Sequence, residues 1–219
     1  MTVAIAERDV ERPDVVDLAR RLGEAEQRLR SLMADIGTVV RLTGEISAAD
    51  DQYVAHLQGR LGAIARAQGM VLARPSGTTD LHGMLADELL AHAAVEERNF
   101  SLNGPEIRLG GRAIGILWLV VHELVVNSVK FGALSAREGM ISVMWTIEVN
   151  GSTSLVFHWM ERRGPTAPSD RRAGFGTEMI ERRLARELGG GGSLDFTPTG
   201  LDCRIHVPVG SDICVVDAI

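Results

Sequence analysis

With 219 residues, 45% of them hydrophobic and 24% charged, the chain is long enough for one compact domain plus a helical extension, and its composition excludes a disordered or fibrous class. A formal net charge of −6 argues against nucleic acid as the main partner, and 4% aromatic residues supply no platform for stacking bases. Cys203 and Cys214 have neither metal-ligand spacing nor the density of a disulfide scaffold. No N-terminal stretch reads as a signal peptide and no apolar run as a membrane span, so the expectation is a cytoplasmic protein.

From Leu18 the apolar positions Leu18, Leu22, Ala25, Leu29, Leu32, Ile36 and Val39 alternate four and three residues apart, the seam of a coiled coil or helix bundle. After a break at residues 48–51, Val54, Leu57, Leu61, Ile64, Ala67 and Val71 repeat that spacing up to Pro75-Ser76-Gly77. Two such helices make a hairpin with one exposed seam. A second copy would bury it, which predicts a homodimeric four-helix bundle over residues 1–77. The alternative is a hairpin packed on its own globular domain.

Residues 78–219 change pattern. Thr79 to Ala94 predicts a helix, Phe100 to Leu109 short extended segments, and Gly111 to Lys130 a long apolar helix. Met140 to Val149 and Ser154 to Met160 alternate like strands across Asn150-Gly151, a dipeptide suited to a type I′ turn. Gly176 to Leu188 predicts a helix and Gly189 to Gly192 a break, before strands at Ser193–Phe196 and Cys203–Val207. The fold class expected is α+β: a helical hairpin followed by a two-layer α/β sandwich.

The long apolar helix ends in His122-Glu123-Leu124-Val125-Val126-Asn127-Ser128-Val129-Lys130-Phe131-Gly132. Glu123, Asn127 and Lys130 fall at i, i+4 and i+7, so an acid, an amide and an ammonium share one face. A solvated polar stripe is the ordinary explanation of such a face. Here it interrupts a run that reads as deeply buried, Ile114 to Val121. A carboxylate that takes a proton, an amide oxygen that ligates magnesium and an amine that neutralises phosphate suit a metal-bound polyphosphate. Downstream, Trp159-Met160-Glu161-Arg162-Arg163-Gly164 precedes a polar stretch, and Gly174-Phe175-Gly176-Thr177 opens a helix where backbone amides can approach phosphate.

His122 to Ser135 resembles the signature helix of the HWE subfamily of bacterial sensor histidine kinases. Trp159-x-Glu161 is similar to its tryptophan-glutamate motif, and Gly174-Phe175-Gly176-Thr177 with Ile180-Glu181-Arg182 to its second glycine box. Gly59 to Ala67 resembles the second helix of that family's dimerisation module. The resemblance implies an ATP-binding domain of the GHKL class under a lid of residues 162–173, with Glu123 as general base or orienting carboxylate and Asn127 on magnesium. It also implies Lys130 on phosphate, Glu161 accepting from the adenine amino group, Gly164 shaping the adenine pocket, and Gly174, Gly176 and Thr177 on phosphates. His122 belongs to the same set by its place in the signature, with an orienting hydrogen bond as its simplest part. Arg163 stands where the family commonly has a glycine.

The nucleophilic histidine of a histidine kinase is missing from the comparable stretch, Leu32 to Val40, and no histidine precedes His56. His56, beside the seam residue Leu57, reads as a flanking histidine, and classical autophosphorylation is not expected. Two functions stay open. One is a histidine-kinase-like enzyme that binds magnesium and ATP and phosphorylates itself unconventionally or a partner. The other is a pseudokinase or docking scaffold for a response regulator or a true kinase.

Overall fold

The computed structural model describes residues 53–72, 78–92, 94–165, 175–197, 200–210 and 213–215, and positions 20, 21, 23–25, 27, 29, 32, 33, 36, 37, 39 and 40. Gly174, residues 166–173 of the expected lid, and Leu18 and Leu22 of the first seam lie outside them.

A five-stranded sheet forms the floor of the fold. Its strands are β2 (Phe100–Asn103), β4 (Met140–Asn150), β5 (Ser152–Arg162), β6 (Gly191–Thr197) and β7 (Gly200–Pro208), in the order β2-β4-β5-β7-β6. β2 pairs parallel with β4 and the other pairs are antiparallel. A small antiparallel sheet, β1 (Thr78–Asp80), β3 (Ile107–Gly110) and β8 (Ile213–Val215), runs in the order β1-β3-β8. Alternation along β5 and β7 aims Leu155, Phe157, Trp159, Leu201, Cys203, Ile205 and Val207 inward. Leu81, Met84, Leu117, Val120 and Val121 of two helices meet Leu155, Phe157, Ile205 and Val207 of the sheet, which makes the two layers.

Those helices are α2 (Leu81–Ala91) and α3 (Gly111–Phe131). Asp80 caps α2 by accepting from Gly83 N at 2.7 Å. Its helix therefore begins after a strand, where the periodicity suggested helix from Thr79. α3 is buried at every position from Ala113 to Val125. Its valines are poor helix formers, and burial on all sides overrides that local preference. The segment Arg112–Ser135 is long and apolar enough to cross a membrane, contrary to the expectation from the sequence, yet 72% of its most apolar window is buried as the central helix of the domain.

The predicted strand pair forms, with Asn150 opposite Ser152 about Gly151. Gly151 has φ 77° while Asn150 is not in the positive-φ region, so the connection is not the type I′ turn the dipeptide suggested. Further along the chain, α4 (Phe175–Glu178), a π turn (Met179–Arg183) and α5 (Leu184–Leu188) form one helical stretch. It ends at Gly189, φ 66°, whose N–H donates to Ala185 O.

The described positions between 20 and 40 are helical, and α1 (Tyr53–Leu72) follows. Ala63, Ile64 and Ala67 of α1 join the same apolar core as α3, with Leu57 and Leu61 partly buried against it. Val39 is fully buried and Leu32 and Ile36 pack on that core, while Leu29 and Met33 stay exposed. Within one chain, the α1 seam therefore finds apolar partners on α3, and the described seam residues Leu32, Ile36 and Val39 belong to the same core.

Candidate nucleotide site

The polar end of α3 faces the start of α4. A Cβ built on Gly176 would lie 3.2 Å from Glu123 Cβ and 3.5 Å from Asn127 Nδ2, so the glycine is what lets the two helices approach. Thr177 follows on the same turn and is half-buried. Glu123 and Asn127 thus share a face, one turn apart, against the glycine. Lys130, one turn further, is exposed, and its Nζ lies 2.5 Å from His56 Nε2 of α1.

Next to this face lies a small recess, about 20 Å³ of cavity, lined by Asn127, Phe131, Gly132, Ala133, Glu161, Gly164, Pro165, Phe196, Gly200 and Leu201. Glu161 ends the inward row of β5 opposite Ile141. Its Oε2 accepts from Ser128 Oγ at 2.8 Å and from Ala133 N at 2.7 Å, and its Oε1 from Trp159 Nε1 at 3.1 Å. The tryptophan and the glutamate stand two residues apart because that spacing puts both on one face of the strand, where the indole N–H can steady the carboxylate. Oε1 keeps a second lone pair for a ligand amino group. Gly132 and Gly164 close around it: a Cβ on Gly132 would fall 2.1 Å from Glu161 Oε2, and one on Gly164 2.9 Å from Ala133 N.

His122 points away from the recess. Its Nδ1 is 2.7 Å from Glu88 Oε1, while Glu88 also accepts from Trp118 Nε1 at 2.7 Å and from Arg66 Nη2 at 2.8 Å. Burial alone pushes the Glu88 carboxyl up; the donors His122, Trp118 and Arg66 outweigh it and hold the group down to about 2. Glu88, His92 and His122 offer ligand atoms within 4.8 Å of one another. The Arg66 guanidinium already supplies the positive charge a metal would bring there, and the carboxylate is saturated with donors. The cluster is a structural knot joining α1, α2 and α3.

Four participants escaped the sequence reading: Arg60, Glu88, Ser128 and Gly132. Glu88 carries a signal in retrospect, since it falls on the apolar face of Leu81, Met84, Leu85 and Leu89 and its neighbour Asp87 does not. Arg60 carries none, since its partner Glu123 is 63 residues away. Its Nε donates to Glu123 Oε1 at 2.7 Å and its Nη2 to Oε2 at 3.1 Å, and its Cζ stands 3.7 Å from the centre of the Phe175 ring.

A two-layer sandwich whose central helix sets a glutamate and an asparagine against a glycine-opened helix defines a histidine-kinase type of catalytic fold. The histidine kinase domain from an Erythrobacter litoralis blue-light activated histidine kinase superposes with a TM-score of 0.54 at 13% identity, covering 80% of this chain and 97% of that one. A longer structure of an Erythrobacter litoralis blue-light activated histidine kinase gives 0.56 at 15% identity, over 90% of this chain and 61% of that one. In sequence, the blue-light-activated histidine kinase of Rhizobium johnstonii is 30% identical over 197 residues, 89% of this chain and 55% of that protein. Blue-light-activated histidine kinase 1 of Erythrobacter litoralis is 30% identical over 214 residues, 90% of this chain and 58% of that protein. The model of the HWE histidine kinase family matches residues 24–106. In this match and in these relatives the chain is similar to the HWE histidine kinases. It spans a little over half the length of these two relatives.

Proposed function

We propose that the chain is a histidine-kinase-like ATP-binding protein of two-component signal transduction that lacks the usual phosphoacceptor histidine, binds magnesium and ATP, and acts on or with a partner signalling protein. The observation that carries this reading is the Glu123–Asn127 face set against Gly176, beside a recess floored by Glu161. The donor set fits the ligand: Asn127 offers a hard amide oxygen for magnesium, Glu161 keeps an acceptor for an adenine amino group, and Gly176 and Thr177 open a helix toward phosphate. Magnesium, held by Asn127, would neutralise charge on the transferring phosphoryl group. Glu123 would serve as base or orienting carboxylate, Lys130 would contact phosphate, Gly164 would bound the adenine pocket, and His122 would steady the helix through Glu88. Gly174 completes the set by resemblance alone.

The remaining parts of the proposal are a domain division at residue 77, dimerisation through the N-terminal helices, a cytoplasmic location, and a response regulator or kinase as partner. Calorimetry tests the core of it. Asn127→Ala should abolish magnesium-dependent ATP binding, and an unchanged affinity would sink the site assignment. A second reading, a non-catalytic scaffold, is favoured by one observation, the Arg60 guanidinium that occupies both oxygens of Glu123. ATP binding without any consumption of the nucleotide would select it.

A further inference from the structure

Arg60 and Glu123 are 5% and 7% exposed, and their fork-to-fork pairing joins α1 to the carboxylate end of the signature face. One turn earlier on α1, His56 meets Lys130 in the same antiparallel register, so α1 lies along the face from Glu123 to Lys130. The guanidinium lies over the Phe175 ring, next to Gly176. It therefore stands at the junction of the carboxylate, the amide and the glycine-opened helix. While both Glu123 oxygens accept from Arg60, each keeps one lone pair, but the guanidinium fork fixes the plane and orientation of the carboxylate. A guanidinium fork matches phosphate as well as it matches carboxylate, and the carboxylate fills the place beside the glycine that an anionic ligand needs.

We infer that Arg60 is a nucleotide-site residue supplied by α1: it exchanges Glu123 for the terminal phosphate of a nucleoside triphosphate, and the exchange frees Glu123. The inference rests on the reading of Glu123, Asn127 and Gly176 given above. It makes α1 a source of selectivity, because a diphosphate lacks the group that takes the guanidinium and leaves the Arg60–Glu123 pair closed. Loss of a charge-assisted hydrogen bond to phosphate corresponds to roughly tenfold in affinity.

The test is calorimetric titration of the full chain with ATP and with ADP, each with excess magnesium. Arg60→Gln should weaken ATP roughly tenfold and leave ADP unchanged. Glu123→Gln should tighten ATP and not ADP, since Arg60 loses its competing anion. Removing the guanidinium leaves a buried carboxylate alone, so the double variant R60Q/E123Q, with two neutral amides, guards against misfolding; it should bind ATP no better than ADP. Equal losses of both nucleotides in Arg60→Gln at an unaltered melting temperature would reduce Arg60 to a structural role. Tighter ATP binding in Arg60→Gln would make it a plug. Either result overturns the exchange. A wild-type chain that binds neither nucleotide would instead overturn the site reading itself, and Asn127→Ala would then change nothing.

Discussion

Arg163 has a φ of 60°, in the left-handed region where a side chain is disfavoured, and its side chain is exposed. It stands where the HWE resemblance leads one to expect glycine, so the backbone keeps the glycine conformation and the chain bears its cost. Arg163→Gly should therefore raise stability by about 1 kcal/mol, less whatever the glycine adds to the freedom of the unfolded chain. Urea midpoints of the two proteins check this; a lower midpoint would mean that the arginine side chain holds a contact worth more than the strain. At this scale the sequence was readable wherever chemistry is local. Glu123 and Asn127 were legible from a 3.6-residue period, whereas Trp159 with Glu161 stood out only by resemblance to the tryptophan-glutamate motif. Arg60 and Glu88 were not, because their partners come from other helices and nothing in their own neighbourhoods marks those partners.

Glu88 binds three helices together, with Arg66 from α1 and with Trp118 and His122 from α3. A carboxyl held at about 2, against an ordinary 4.5, contributes stability that is fully present above pH 4.5 and is lost as pH falls toward 2. The shift corresponds to a contribution on the order of 3 kcal/mol. Glu88→Gln should be destabilised relative to wild type at pH 7, and the gap should narrow at pH 3. Equilibrium denaturation at both values measures it, and a gap independent of pH would show that packing rather than charge carries the knot. The elements themselves were legible to differing degrees. α3, α2 and the β4–β5 pair follow from periodicity, but β8 and the π turn depend on partners and packing that no window of sequence contains. The Asn150-Gly151 dipeptide predicted the place of its turn and not its type, which the strand register decides.

On the scale of the molecule, the two apolar seams showed that the N-terminal helices bury a stripe without showing against what. An apolar residue satisfies a second copy and a neighbouring layer equally well, so the seam spacing alone leaves that choice open. In the single chain, Ile64 is 3% exposed and shares the core of α3. Ile64→Ala should accordingly cost the whole sandwich about 2–4 kcal/mol, read as one cooperative shift in its thermal melt. If the melt of the sandwich were unmoved, α1 would belong to a separate unit.

All three tryptophans are buried, and two of them are tied by their indole N–H to carboxylates, Trp118 to Glu88 and Trp159 to Glu161. The chain thus carries its own optical probes. Trp159 emits from behind Glu161, whose carboxylate lines the recess, and Trp118 from the knot, so native fluorescence follows occupancy and unfolding without any added dye.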